Sequence, residues 1–596
     1  MAHDDTITFS GNNNQGFQLG VNQGTIGSIV FNPKKTNDKC LNDLRLTNPR
    51  DDKERIKKTK GGLLEGSYKW ILDHPDFQQW LNDDQSQLLW IKGDPGKGKT
   101  MLLIGIVDEL ERQLAQLKQA EQSTPRTVLS YFFCQGTDSN LNNATAVLRG
   151  LIYLLAVQQP SLASNLRVEY ERSSSKLFED TNAFVALSEI LMGMLRDPTL
   201  ASVYIIIDAL DECETGLQQL LKLVTDNTSA SRVKWIVSSR NKHDIEEQLN
   251  LVDHKIKLSL ELNPESTAAA VNVYIRYKVS QLALLKGYDS RTEETVNKYL
   301  RAKADNTFLW VAMVCENLEK IRTKKTLSAL KALPPGLDPL YGRMMQQILD
   351  LEDPDDVYLC KRILAIVTLV YRPVTLAELA SLVKCTRDIS DGAESSNDLE
   401  SSDDAETSDD AESSDDAESS DDAESSDDAE SSDDAQSLME VVELCGSFLT
   451  IRDDRVYIIH QSAKDYLMSD MVNTIIFPTG MAEAHRDIFL QSLQAMIKTL
   501  RRDIYNLRYP GFSIDDFKTP IPDPLASVRY SCVHWVDHLC KAPQRNDLLD
   551  SGVVHKFLEG YLLYWAEASS LLGALSNTVL AIGNLERTLK VSLAPQ

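Results

Sequence analysis

The segment from Gly93 to Thr100, GDPGKGKT, has the form G-x-x-x-x-G-K-T. It follows an apolar run, Leu88–Ile91, and precedes MLLIGIVDELERQLAQL, which reads as a helix. A loop of this form between a strand and a helix is built to hold phosphate. Glycines let backbone N–H groups curl round phosphate oxygens without Cβ clashes. The start of the helix adds positive potential. Within Gly93, Asp94, Pro95, Gly96, Lys97, Gly98, Lys99 and Thr100, two residues carry specific roles. Lys99 is expected to reach the β- and γ-phosphates, and Thr100 to offer its hydroxyl to Mg²⁺.

The surrounding chain alternates short apolar runs with helical stretches. Beyond Leu88–Ile91, the runs are Val128–Cys134, Val203–Ile207, Val233–Val237 and Lys255–Leu260. Each is mostly apolar, as expected for strands covered on both faces of a parallel sheet. Residues 85–260 therefore read as an α/β domain, a parallel sheet flanked by helices. After residue 260 almost everything reads as helix.

The run ending at Ile207 leads into three carboxylates, Asp208, Asp211 and Glu212. If this strand neighbours the loop's own strand, Asp208 lies where Mg²⁺ would sit. Asp211 or Glu212 would then polarise an attacking water. The run ending at Val237 brings Ser238, Ser239 and Arg240 to the same edge. Arg240 would sense or stabilise γ-phosphate charge there, and a surface arginine is the plainer alternative.

The formal net charge of −26 is a local feature. Between Asp388 and Asp434 there are 22 Asp and Glu and no Lys or Arg, which leaves 66 acidic against 62 basic residues elsewhere. A nearly neutral body argues against broad binding to nucleic acid. Within the acidic stretch, the unit AESSDD recurs seven times from Ala393 to Asp434, with small departures at Asn397, Leu399 and Thr407. It holds nothing that could build a core, so an extended, disordered insertion over 388–437 is expected. Ser413, three residues before Asp416, typifies sites open to an acidophilic kinase. No apolar run is long enough for a membrane-spanning helix. Nine scattered Cys without metal-ligand spacing read as reduced thiols, and MAHDDTITFS lacks the features of a secretory signal. A cytoplasmic protein is expected.

IIIDALDEC and VKWIVSSRN resemble the acidic and sensor strands of the NACHT class of STAND P-loop NTPases. Further stretches resemble fungal NOD-like receptors of the vegetative-incompatibility type. They include Cys40–Leu72, Tyr131–Tyr153, Ala304–Leu318, Leu333–Met345 and HQSAKDYL at His460–Leu467. The resemblance implies a helical lead-in (33–84), a nucleotide-binding domain (85–260), a helical lid (261–345), a winged-helix-like domain (346–470) that carries the acidic insertion, and a helical arm (471–596). It implies a diphosphate-bound closed state and a triphosphate-bound state that forms homo-oligomers. It also implies that His460 touches nucleotide phosphate, although a capping role fits equally. The lid motif of related receptors often carries a proline that meets the base, and Thr307 stands near that place. The purine, ATP or GTP, stays open. No WD40, ankyrin or TPR period is present.

Residues 1–32 are rich in Gly, Asn and Gln and poor in charge. GNNNQGFQLGVNQGTIGSIVF resembles the fungal sigma amyloid motif, in which stacked Asn and Gln form hydrogen-bond ladders. That resemblance implies templating of a separate effector protein with a matching motif. The reading is thus a signalling switch that slowly hydrolyses its nucleotide. The alternatives are a non-hydrolysing nucleotide-bound scaffold and a self-propagating aggregation protein.

Overall fold

Five strands divide their side chains between two cores by simple alternation. They are β1 (Leu88–Lys92), β2 (Arg126–Phe133), β3 (Leu200–Asp208), β4 (Val233–Ser239) and β5 (Ile256–Ser259). Leu88, Trp90, Val203, Ile205, Ile207, Val233, Trp235 and Val237 enter the core on one face. Leu89, Ile91, Ile206 and Ile236 enter the other. Covering both faces requires apolar residues at every position, which is why these strands lack a polar stripe. The computed structural model describes residues 39–120, 126–180, 182–226, 232–253, 255–383, 438–508, 519–543, 547 and 552–592. The Gly/Asn/Gln segment and the acidic repeat lie outside the described residues.

The sheet is wholly parallel, in the order β2-β3-β4-β1-β5. One expectation needs correcting: the strand that ends at Asp208 does not neighbour the strand that feeds the phosphate loop. β4 lies between them, pairing Ile205 with Trp235 on one side and Leu88 with Trp235 on the other. Ser238 and Ser239 therefore occupy the central position at the sheet's C-terminal edge. Helices lie on both faces, among them Lys99–Ala120, which continues the phosphate loop. Four helices between Lys39 and Asn82 precede the sheet. The second of them, Pro49–Thr59, is clamped to the 99–120 helix by Lys53, whose ammonium bonds Asp108 at 2.8 Å and Glu111 at 2.7 Å.

The rest is mostly helical. One apolar core runs through residues 271 to 488 and takes in Tyr530. A small antiparallel sheet sits within this part, in the order β6 (Val374–Thr375), β8 (Arg455–Ile458), β7 (Leu449–Arg452). Asp453 and Asp454 join β7 to β8 with φ of 47° and 61°. Such a two-residue turn matches the twist of a hairpin. Directly after β8 comes the helix Gln461–Leu467. The last helices close a separate core round Phe489, Trp535 and Trp565. A buried network ties this arm to the preceding part: Tyr530 Oη lies 2.7 Å from His538 Nε2 and accepts the Tyr371 N–H at 3.2 Å. The Tyr371 carbonyl in turn accepts the Ser139 N–H at 2.8 Å, which reaches the α/β part. Among the described residues no helix is long and apolar enough to cross a membrane.

Candidate functional site

The phosphate loop turns on two glycines at positive φ, Gly96 at 76° and Gly98 at 88°. Space is as restrictive as backbone angle there. A Cβ on Gly98 would lie 2.9 Å from the Phe308 ring, and one on Gly96 would lie 2.8 Å from Thr307 Cγ2. Thr307 thus packs on the phosphate loop. The Lys99 ammonium donates to the Gly93 carbonyl at 2.6 Å and the Asp94 carbonyl at 3.1 Å. Burial lowers its pKa, opposed by the charges of Asp211 and Asp208. The Asp94 N–H donates to Glu261 at 2.6 Å, and its carboxylate accepts from Asn241 at 3.0 Å. Lys97 donates to the Asp305 carbonyl at 2.6 Å.

Two residues hold the carboxylate edge. Asp208, at the end of β3, is buried and accepts the Ser238 hydroxyl at 2.5 Å. It also shares a hydrogen bond with Thr100. Burial raises its pKa, and these bonds and the facing lysines offset part of that. Next to it, Ala209 takes φ 53° and ψ 53° and donates its N–H to Ser238 Oγ at 2.9 Å. This left-handed step turns the chain so that Asp211 and Glu212 come back over the sheet edge.

The two carboxylates beyond it differ. Both oxygens of Asp211 are engaged by Arg240, one by its backbone N–H at 3.0 Å and the other by Nε at 2.9 Å. Glu212 accepts one short bond, the Gly136 N–H at 3.0 Å, and lies 3.9 Å from Arg240. Burial, and then the Asp211 charge, push the Glu212 carboxyl up to about 7. Arg240 also pairs through Nη1 with Asp465, on the 461–467 helix. The plainer reading of Arg240, a surface arginine, does not fit three carboxylate partners.

His460 caps that helix: its Nδ1 accepts the Ser462 N–H at 3.1 Å. Burial holds the imidazole well below its usual pKa, so it is neutral. With Nδ1 used as an acceptor, Nε2 carries the proton. The cap and the approach to the phosphate loop are compatible, since His460 lines the same cavity as Lys99.

That cavity has a volume of about 340 Å³. It brings together Pro95, Gly96, Lys97, Gly98, Lys99, Thr100, Asp208, Asp211, Glu212, Arg240 and His460; Gly93 and Asp94 do not line it. It also has an apolar side made by Trp70, Tyr274 and Phe308, the last two in edge-to-face contact at 5.5 Å. Lys60 and Arg452 line it too. Sequence reasoning did not single out these five. Phe308 and Lys60 lie inside stretches that carry the family resemblance, but only the fold turns them towards the phosphate loop.

The family described as "Nephrocystin 3, N-terminal" matches residues 66–240. "SesB domain on fungal death-pathway protein" matches residues 4–28. The chain is 46% identical over 572 residues to vegetative incompatibility protein HET-E-1 of Podospora anserina, across 93% of its own length. It spans 38% of that relative's length. Among solved structures, a Walker-type ATPase of Pyrococcus abyssi aligns over 66% of this chain and 94% of its own at 11% identity, with a TM-score of 0.29. The Aeropyrum pernix ORC2 protein aligns over 74% and 98%, also at 11%, with a TM-score of 0.25. Structural likeness at that level carries no argument here. The close sequence match does: this chain is a homologue of a fungal vegetative incompatibility protein, with a region similar to the nephrocystin 3 N-terminal family and an N-terminus similar to the SesB domain.

Proposed function

We propose that the chain is a nucleotide-dependent signalling switch that binds ATP or GTP with Mg²⁺, hydrolyses it slowly and oligomerises in the triphosphate state. The observation that carries this reading is the convergence on one cavity of the phosphate loop, Asp208, and His460 from a helix more than two hundred residues away. Thr100 and Asp208 offer hard oxygen donors, already hydrogen-bonded to each other, which suit Mg²⁺. The ion, when bound, neutralises charge on the β- and γ-phosphates. Lys99 exchanges its two carbonyl partners for phosphate oxygens. The Nε2–H of His460 donates to phosphate. Glu212, with one short bond, is the residue free to orient water, because Asp211 has both oxygens committed to Arg240.

The closed arrangement is held by polar contacts between the α/β part and residues of the 346–470 unit. These are Arg240–Asp465, Lys464–Glu214 at 3.8 Å, and the Ser139–Tyr371 backbone bond. A γ-phosphate competing for Arg240 would weaken the first of them and favour opening. The working division of the chain is a nucleotide-binding unit over 85–260, a lid over 261–345, a winged-helix-like unit over 346–470 and an arm over 471–596. Residues 1–32 then pass the signal on, templating a cross-β stack on an effector protein with a matching motif; the SesB similarity over residues 4–28 supports this. Cytoplasmic action accords with such a role.

A single-turnover assay with labelled ATP and GTP tests the switch. Slow phosphate release with one purine, and larger species with its non-hydrolysable analogue, is the expected result. Binding without release would favour a scaffold that never hydrolyses its nucleotide. For the N-terminal segment, cross-β diffraction from fibres of residues 1–32 is expected. Fibres that form equally with Lys at both Val21 and Ile26 would overturn a dry zipper, which cannot tolerate like charges about every 4.8 Å.

A further inference from the structure

The helix Pro49–Thr59 ends in a Lys-Gly-Gly turn. The Gly61 N–H donates to Lys58 O at 3.1 Å and the Gly62 N–H to Lys57 O at 2.9 Å. Both glycines sit at positive φ, 83° and 89°, with no atom within 4 Å of an added Cβ. Open space on that side means packing does not explain the turn. Its effect is to direct Lys60 into the nucleotide cavity, which Thr59, Lys60, Gly61 and Gly62 all line.

The Lys60 backbone N–H closes the helix on the Ile56 carbonyl at 3.0 Å, while its ammonium has no hydrogen bond or ion pair among the described residues. Its side chain is exposed, but to the cavity, with protein around it. Burial by those surroundings lowers the ammonium's pKa, and the opposing charges it feels are those of Asp208 and Glu212. These two carboxylates mark the metal and water end of the cavity. The apolar side, with Tyr274 and Phe308, suits a base. An ammonium without a side-chain partner, lining the same cavity as Lys99, Thr100, Asp208 and Glu212, is an incomplete site, and a further anion would complete it. The Lys53 clamp to Asp108 and Glu111 fixes the helix that carries it.

We propose that Lys60 is a phosphate-binding residue that neutralises the terminal phosphate of a bound nucleoside triphosphate, so that the lead-in helix distinguishes triphosphate from diphosphate. This assignment rests on the nucleotide reading above. It differs from Lys99, which meets the β-phosphate in both states. Recognition by Lys60 also makes residues 49–62 part of the switch, and the cation a stable element of the closed cavity only when the third phosphate is present.

The test uses the full chain and fluorescent mant-ADP, mant-GDP and the corresponding imidotriphosphates. With Lys60→Gln, affinity for the imidotriphosphate is expected to fall tenfold or more, about 1.4 kcal/mol. Diphosphate affinity should change less than threefold, which also reports a folded site. Lys60→Arg should recover most of the triphosphate affinity. Unchanged triphosphate affinity in Lys60→Gln, or an equal loss for both nucleotides, overturns the assignment while leaving the nucleotide reading in place. A wild-type chain that binds none of the four probes overturns that reading, and the role of Lys60 with it.

Discussion

The cavity has two kinds of wall. One is built from the C-terminal ends of β1, β3 and β4, where charged groups are held at short range: Asp208 by Ser238, Asp211 by Arg240, Glu212 by the Gly136 N–H. The other is assembled from helices before residue 85 and after residue 260, with Trp70, Tyr274, Phe308, Lys60 and His460. The first wall exists because of the sheet and should persist whatever the second does. The second exists only while the outer elements stay folded back on the sheet. On the proposed function chemistry is separated from state: one wall would act on the nucleotide, and the other would report which nucleotide is there.

The largest expected effect falls on the first wall. Glu212→Gln should bind triphosphate normally and lower single-turnover hydrolysis by at least about a hundredfold, the usual worth of a positioned base. Asp211→Asn should cost less, because Asp211 positions Arg240. A neutral Glu212 cannot accept a proton, so kcat/KM should fall as pH drops through about 7, the value to which burial raises this carboxyl. A flat profile from pH 6 to 8 would show that Glu212 is not the base. Next comes Lys99→Ala, which should weaken nucleotide binding by at least tenfold, about 1.4 kcal/mol; equilibrium titration with both purines checks it.

Breaking the link between the walls should matter less. Asp465→Asn leaves Arg240 with Asp211 and removes only the contact to the 461–467 helix. That carboxylate is 44% exposed, so the loss should be no more than about 1 kcal/mol. Faster hydrogen exchange over residues 461–467, with tighter triphosphate binding, is the expected signature; slower exchange would mean the pair does not hold the walls together. The smallest effect is expected at Ala209. Glycine there relieves a left-handed conformation that costs roughly 1–2 kcal/mol, against roughly 0.5–1 kcal/mol of added chain entropy. Ala209→Gly should therefore change thermal stability by no more than about 1 kcal/mol, towards greater stability.

The same contrast explains what could be read from the sequence. Residues of the first wall sit in contiguous motifs, each a strand end followed by its loop, so local pattern and known chemistry sufficed to nominate them. The strand runs themselves were legible because burial on both faces leaves no polar position to confuse the pattern. Sheet order was not: nothing local indicates that β4 enters between β1 and β3. Nor was the choice between Asp211 and Glu212, which turns on Arg240 engaging both oxygens of Asp211 at short range and standing 3.9 Å from Glu212. Lys60 lies in the turn after the 49–59 helix and Tyr274 within the helix Pro264–Lys286, places where a lysine or a tyrosine is unremarkable by itself. Only long-range closure gives them a role.

The phosphate loop rests directly on the chain segment 307–309, with no room for a Cβ between Gly96 or Gly98 and that segment. Just beyond it, Trp310, Val311, Val314, Cys315 and Leu318 are fully buried in the core that runs through residues 271 to 488. The helix Phe308–Lys320 starts in that segment, so the loop bears directly on its first turn. Close-packed interiors transmit small displacements instead of absorbing them. On the proposed function, a small shift of the loop on phosphate binding would reach the base of that helix as a push on its first turn. Nucleotide would then be registered by leverage, before any hinge opened.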